Sequence, residues 1–221
     1  MAKKIVLIVL LVAVAILVAG IIYFEIEPEN KNINYEPADA KKVTDTTIRF
    51  NENGKLKILH IADPHLNYDK HFDASIWVIA EACDVEKPDL VVLTGDNTHP
   101  NEDPEKTKKL INALMNIFES RNIPVAVTFG NHDAETGSMT REDIMEYYQT
   151  FPCVISVDNS EGFKNCATFN IPVLASDSDK VNFNLWVFDS GDYDEDEPRH
   201  YDRVRTEQIE WYKKTAAKLK K

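Results

Sequence analysis

From about Lys57 onward, short apolar runs alternate with stretches of helical periodicity. Lys57–Ile61, Asp89–Thr94 and Ile123–Phe129 are compact runs rich in Val, Leu and Ile, the pattern of buried strands. Helix signals fall between and after them. Asp73 is placed to cap a helix from Ala74 to about Glu86, and Asp103-Pro104 offers an N-cap and an N1 proline for a helix to about Ser120. In that second helix Leu110, Ile111, Leu114 and Ile117 recur at helical spacing and mark a core face. Thr140 and Asp143 form a capping-box pattern, opening a helix through Tyr147 and Tyr148. Further strands are predicted at Val154–Val157, Ala167–Ile171 and Asn184–Asp189, and Thr206 caps a last helix carrying Ile209, Trp211 and Tyr212. Ahead of the first strand, Thr47–Phe50 and Leu56–Ile61 flank Asn53-Gly54, which predicts a hairpin with a type I′ turn. Alternating strands and helices predict an α/β fold whose ligands bind at the carboxyl edge of the sheet.

The N-terminus has a different pattern. Lys3 and Lys4 precede an unbroken apolar run, Ile5–Phe24, followed by an acidic flank. A membrane span takes about 20 apolar residues, whereas a signal-peptide core is usually ~7–15. The run therefore predicts a cytoplasmic stub and transmembrane signal anchor over residues 1–24, a Glu/Asn/Pro-rich linker over 25–45 and one domain over 46–221. On this reading the domain is membrane-anchored and extracytoplasmic; cleavage of the run as a signal peptide would make it secreted. A formal charge of -12 argues against a nucleic-acid-binding surface. Cys83 reads as a small buried residue, and Cys153 and Cys166 read either as a disulfide or as free thiols.

Chemistry concentrates where the three strands end. Asp63-Pro64-His65 places a carboxylate and an imidazole two residues apart, on one side of the chain if the backbone is extended. Gly95-Asp96-Asn97 puts a carboxylate after a glycine that permits a tight turn, and one carboxylate can bridge two metals ~3.5–4 Å apart. Gly130-Asn131-His132-Asp133 adds an amide oxygen, an imidazole able to donate to a phosphate oxygen, and a carboxylate suited to hold that imidazole.

With Lys87–Asp96, Phe188-Asp189-Ser190-Gly191 and Gln208–Tyr212, these motifs make the chain resemble the calcineurin-like metallophosphoesterase superfamily, in its purple-acid-phosphatase-like branch. The resemblance implies part of a four-layer α/β/β/α sandwich. It implies that Asp63, His65 and Asp96 bind one metal, and that Asp96 and Asn131 bind a second. His132 would then stabilise the transition state or protonate the leaving group, with Asp133 behind it. The implied reaction is cleavage of a phosphate ester by a metal-bound hydroxide, with Fe, Mn or Zn as the metals. Two departures stand out. His99 occupies the place of the tyrosine ligand of the purple enzymes, and no histidine after His200 supplies the family's remaining metal ligands. The second metal site is thus expected to be incomplete. Two functions follow: a metal-dependent phosphoesterase, or an inert truncated membrane protein with at most one weak metal site.

Overall fold

The computed structural model describes residues 47–68, 71–99, 101–157, 162–194, 196–197 and 199–219. The apolar run Ile5–Phe24 lies outside them. Among the described residues, no helix is long and apolar enough to cross a membrane.

Three strands, β1 (Ile58–Ile61), β2 (Leu90–Leu93) and β3 (Val125–Val127), form a parallel sheet in the order β1-β2-β3. Ile58 pairs with Leu90 and Val91 with Val125. Parallel neighbours need crossovers, and helices α1 (Phe72–Glu86) and α2 (Pro104–Glu119) supply them. Helix α3 (Arg141–Gln149) follows β3. A second sheet pairs β4 (Phe169–Leu174) with β5 (Val181–Val187) in antiparallel fashion, and helix α4 (Thr206–Leu219) ends the described chain.

The period of two along the strands sorts their side chains into two cores. Val91, Leu93, Val125 and Val127 pack with Leu110, Leu114 and Phe118 of α2 and Met145 and Tyr148 of α3. Leu90, Val92 and Ala126 face the other way, onto Phe169, Ile171, Val173 and Val187 of the second sheet. Beyond that sheet, Trp186 meets the rings of Trp211 and Tyr212 on α4, at centroid distances of 5.4 and 4.7 Å. The result is a mixed α/β fold whose parallel sheet is covered on both faces, as such sheets require.

Several elements follow their local signals. The Asp103 side chain accepts the Glu105 N–H at the start of α2, with Pro104 in the first turn, and the Thr140–Asp143 capping box is complete. Helix α1 begins at Phe72, so Asp73 sits in its first turn, where its charge meets the helix dipole, rather than ahead of it as a cap.

The predicted hairpin does not form. A turn is present, with Asn51 N–H donating to Lys55 and Gly54 N–H to Asn51, but it is not type I′, since Gly54 and not Asn53 holds positive φ, and the flanking segments separate. Arg49 bridges Leu174 of β4, while Ile58–Ile61 enters the parallel sheet. The Asn-Gly turn therefore passes the chain from one sheet to the other. Val154–Val157 is not a strand either: it makes a single bridge, Val154 to Val125, because Pro152 and the turn before it leave little length to pair. Cys83, Cys153 and Cys166 are all buried free thiols, so the disulfide alternative is not realised.

Candidate metal centre

The parallel strands end together, and their following loops are knitted by backbone hydrogen bonds. Asp63 N–H donates to the Gly95 carbonyl at 3.2 Å, and His65 N–H to the Asp96 carbonyl at 2.9 Å. Asp63, His65 and Asp96 all hold left-handed backbone, with φ of 51°, 41° and 49°. Such conformations cost about 1–3 kcal/mol each and persist where surrounding structure enforces them. They also change the reason why Asp63 and His65 converge. Extended backbone does not align them; a pair of left-handed turns against the β2 loop does. Each of the three residues offers one ligand atom, and these atoms lie within 4.8 Å of one another.

Two glycines allow the β2 and β3 loops to meet. A Cβ on Gly95, at φ 110°, would lie 2.1 Å from Gly130 N, and a Cβ on Gly130 would lie 2.3 Å from Asp96 Oδ1. No other residue fits at either place without backbone movement. Asp96 Oδ1 accepts the His132 N–H at 2.7 Å, while its Oδ2 lies 3.6 Å from His65 Nε2. Its carboxylate is thereby aimed by the third motif toward the first.

Asp133 lies elsewhere than behind the His132 ring. One of its oxygens accepts the N–H groups of Asp96 and Gly130, both at 2.8 Å, and the other accepts Asn97 N–H at 2.9 Å. Burial pushes its carboxyl up to about 6 against the pull of those three donors. Asp133 is the clamp that joins the two loops. Contact with the imidazole belongs instead to Glu135, whose Oε2 is 2.5 Å from His132 Nδ1. The Glu135 carboxylate raises the ring above the usual histidine range, and the ring holds Glu135 below the usual carboxylate range.

A cleft of about 260 Å³ opens on this edge, lined by Asp63, Asp96 and Asn131 from the parallel sheet and by Asp192, Tyr201 and Asp202 from beyond β5. Asp202 is met by Arg205 at 2.8 Å and Lys164 at 3.9 Å, but among the described residues no Lys or Arg lines the cleft itself. An acidic cleft of this kind repels a phosphate ester unless a cation is bound first. The ligand set suits such a cation: two carboxylates and an imidazole, with mixed O/N character and room beside them. A larger cleft of about 390 Å³, bounded by Lys108, Met139 and Tyr147, shares no lining residue with the acidic one.

Of the remaining histidines considered from sequence, His99 is not part of the ligating group, and His200 pairs with Glu197 at 2.7 Å within its own turn. Arg141 is a residue that sequence reading missed. It bonds Asp189 at 2.8 Å and the Gly130 carbonyl at 2.6 Å, tying the glycine-bearing loop to the chain after β5. Burial raises the Asp189 carboxyl and Arg141 counteracts that rise.

A family model described as calcineurin-like phosphoesterase matches residues 56–220, which hold every residue of this site. The chain belongs to the calcineurin-like phosphoesterase family. "Probable inactive purple acid phosphatase 29" of Arabidopsis thaliana is 30% identical over 213 residues, covering 84% of this chain and 52% of the relative. "Probable inactive purple acid phosphatase 14" of the same plant is 31% identical over 199 residues, covering 76% and 48%. "Phosphatase DCR2" of Saccharomyces cerevisiae is 30% identical over 138 residues, covering 55% and 23%. The chain thus spans about half the length of the two plant relatives. Phosphoesterases of this family use divalent metals, and the three ligating residues form a partial metal-binding group.

Proposed function

We propose that the domain is a metal-dependent hydrolase of phosphate esters. The observation that carries this reading is the convergence of Asp63, His65 and Asp96 to within 4.8 Å at the mouth of an acidic cleft. Those three would hold a metal (Fe, Mn or Zn), and Asn131 would offer an amide oxygen toward a second. The chemistry supplied there is Lewis acidity toward a phosphoryl oxygen and neutralisation of its charge.

The protein's own contribution begins with restraint. Left-handed backbone at all three ligands and the Asp133 clamp fix the donors before anything binds. His132 hydrogen-bonds a phosphate oxygen or passes a proton to the leaving oxygen, in keeping with its raised basicity beside Glu135. The Asp192 and Asp202 side of the cleft disfavours an anionic substrate until the cation is in place. Substrates are phosphate esters, with no nucleic-acid surface expected at a formal charge of -12. The Ile5–Phe24 run supports a membrane anchor for the domain.

The second reading, an inert protein with at most one weak metal site, is favoured by the word "inactive" in the names of the two plant relatives. Calorimetry with Mn²⁺ and release of p-nitrophenol from its phosphate esters separate the two. The hydrolase reading expects Asp96→Asn to lower both metal affinity and hydrolysis by at least ~100-fold. Metal binding without hydrolysis by the wild type supports the inert reading, and hydrolysis unchanged in Asp96→Asn overturns this site as its source.

A further inference from the structure

Beside the ligating group, two side chains from distant segments meet on one carboxylate. Glu135 Oε2 lies 2.5 Å from His132 Nδ1, and Glu135 Oε1 receives the Tyr193 hydroxyl at 3.0 Å. The same hydroxyl lies 3.4 Å from Asn131 Nδ2. Donor and acceptor capacities fix the direction of every link. A carboxylate only accepts, so Tyr193 gives its single proton to Glu135. The Tyr193 oxygen is then left to accept, which obliges Asn131 to turn its NH₂ toward it. Asn131 Oδ1, the only atom of that amide able to bind a metal, is thereby freed. On the other side, Glu135 requires a proton on His132 Nδ1 and leaves Nε2, at the opposite edge of the ring, as the atom available to a substrate.

We propose that Glu135 and Tyr193 are positioning residues acting as one relay, in which a single carboxylate sets both the His132 tautomer and the orientation of the Asn131 amide. The relay rests on the phosphoesterase reading only for the use made of these two groups; the geometry is independent of it. Burial does not account for the arrangement, since the side chains of His132 and Glu135 are 36% and 38% exposed. Asp133 does not take this place, because its carboxylate is drawn inward to three backbone N–H groups. Tyr193 is held from behind by stacking on Tyr201, with ring centroids 5.7 Å apart and 24° between planes, and by the bridge between these two residues. The relay therefore ties the third motif to the loop after β5.

Nitrogen-15 NMR of the full metal-free chain labelled at histidine and asparagine tests the relay directly, with His132→Gln and Asn131→Ala assigning the signals. At a pH where the ring is neutral, wild-type His132 is expected to carry its proton on Nδ1. Glu135→Ala should move it to Nε2, whereas Tyr193→Phe should preserve the Nδ1 tautomer and shift only the Asn131 amide signals. Mn²⁺ titration and p-nitrophenyl phosphate hydrolysis then read the consequence. Tyr193→Phe lowers Mn²⁺ affinity by ~10–100-fold, as is typical for groups behind a metal's ligands, and Glu135→Ala lowers kcat by up to ~100-fold, the lower end of what a general acid supplies. An unchanged His132 tautomer in Glu135→Ala, or unchanged Asn131 signals in Tyr193→Phe, overturns the relay. Failure of the wild type to bind Mn²⁺ or hydrolyse ester overturns the phosphoesterase reading instead, and the metal-free spectra still decide on Glu135 and Tyr193.

Discussion

All three residues of β3 are buried, whereas β5 leaves Val181, Asn182 and Phe183 exposed along its first half. The helices on either side repeat the contrast. Helix α2 buries nine residues against the parallel sheet; α4 buries only Gln208, and leaves Ile209 and Tyr212 at 41% and 39% exposure. The strained Asp63, His65 and Asp96 all follow strands of the parallel sheet, although only Asp96 is itself buried. Left-handed backbone at Asp63, His65 and Asp96 needs a surround that cannot relax: the buried ends of β2 and β3 provide it for Asp96, and N–H bonds onto the Gly95 and Asp96 carbonyls extend it to Asp63 and His65. The looser side contributes residues that finish the cleft, Asp192, Tyr201 and Asp202, without carrying that strain.

The sharpest way to break this division is one substitution where the packed loops meet and one in the open turn between the sheets. In Gly95→Ala the new Cβ meets Gly130 N at 2.1 Å, backbone against backbone, with φ at 110°. No side chain is there to yield, so we expect a loss above ~4 kcal/mol, or no folded protein, in urea denaturation. Gly54→Ala, in the turn that passes the chain between the sheets, meets nothing within 4 Å and has φ 68°. Its cost should be only the left-handed backbone term, about 1–2 kcal/mol. Comparable losses at both positions would mean that the β2 and β3 loops are not tightly opposed.

Core truncation gives the next effect. Leu114→Ala on α2 removes a side chain with no exposure from the larger core and should cost about 2–5 kcal/mol. Ile209→Ala on α4, where 41% of the residue is exposed, should cost about 1 kcal/mol or less. Thermal denaturation of the two variants measures the difference between the layers.

Much of the buried side was legible in the sequence because its signals are local. Asp103-Pro104, the Thr140–Asp143 box and the apolar runs before each motif act over a few residues, and each element formed near its expected place. What escaped reading depends on contacts across the chain. An Asn-Gly pair specifies a turn, and it did so, but which strands the turn joins is decided by competition between two sheets for Thr47–Phe50. Asp133 and Glu135 are both within reach of His132 in the sequence, and only burial distinguishes them: one carboxylate is drawn inward to three N–H donors, the other stays at the ring. Glu135 follows His132 at i+3 in a tight turn, a spacing that was available as a signal. Tyr193 and Arg141 gave none, since their partners lie far away in sequence.

Glu119 tests the buried side from within, through pH. It ends α2, where the helix dipole already disfavours a negative charge, and its Oε1 is buried with no hydrogen-bond partner. Desolvation by burial raises its carboxyl above the usual glutamate range, and a backbone hydrogen bond at Cys153 only partly opposes that. The Cys153 thiol, close by, is pushed up to about 12 by its own burial and by the Glu119 charge. The sign follows from proton linkage. With the folded value raised above the unfolded one, the folded protein binds the proton more tightly, so the contribution to stability is full below the unfolded value of ~4.3. It is lost as pH rises through the folded value. Glu119→Gln keeps the shape and removes the charge, so the stability of the wild type relative to this variant should fall as pH rises from about 4 toward neutrality. Urea denaturation of both proteins across that range measures the slope. A difference independent of pH would show that Glu119 reaches water in solution, and the α2 side of the molecule would then be less dry than its neighbours indicate.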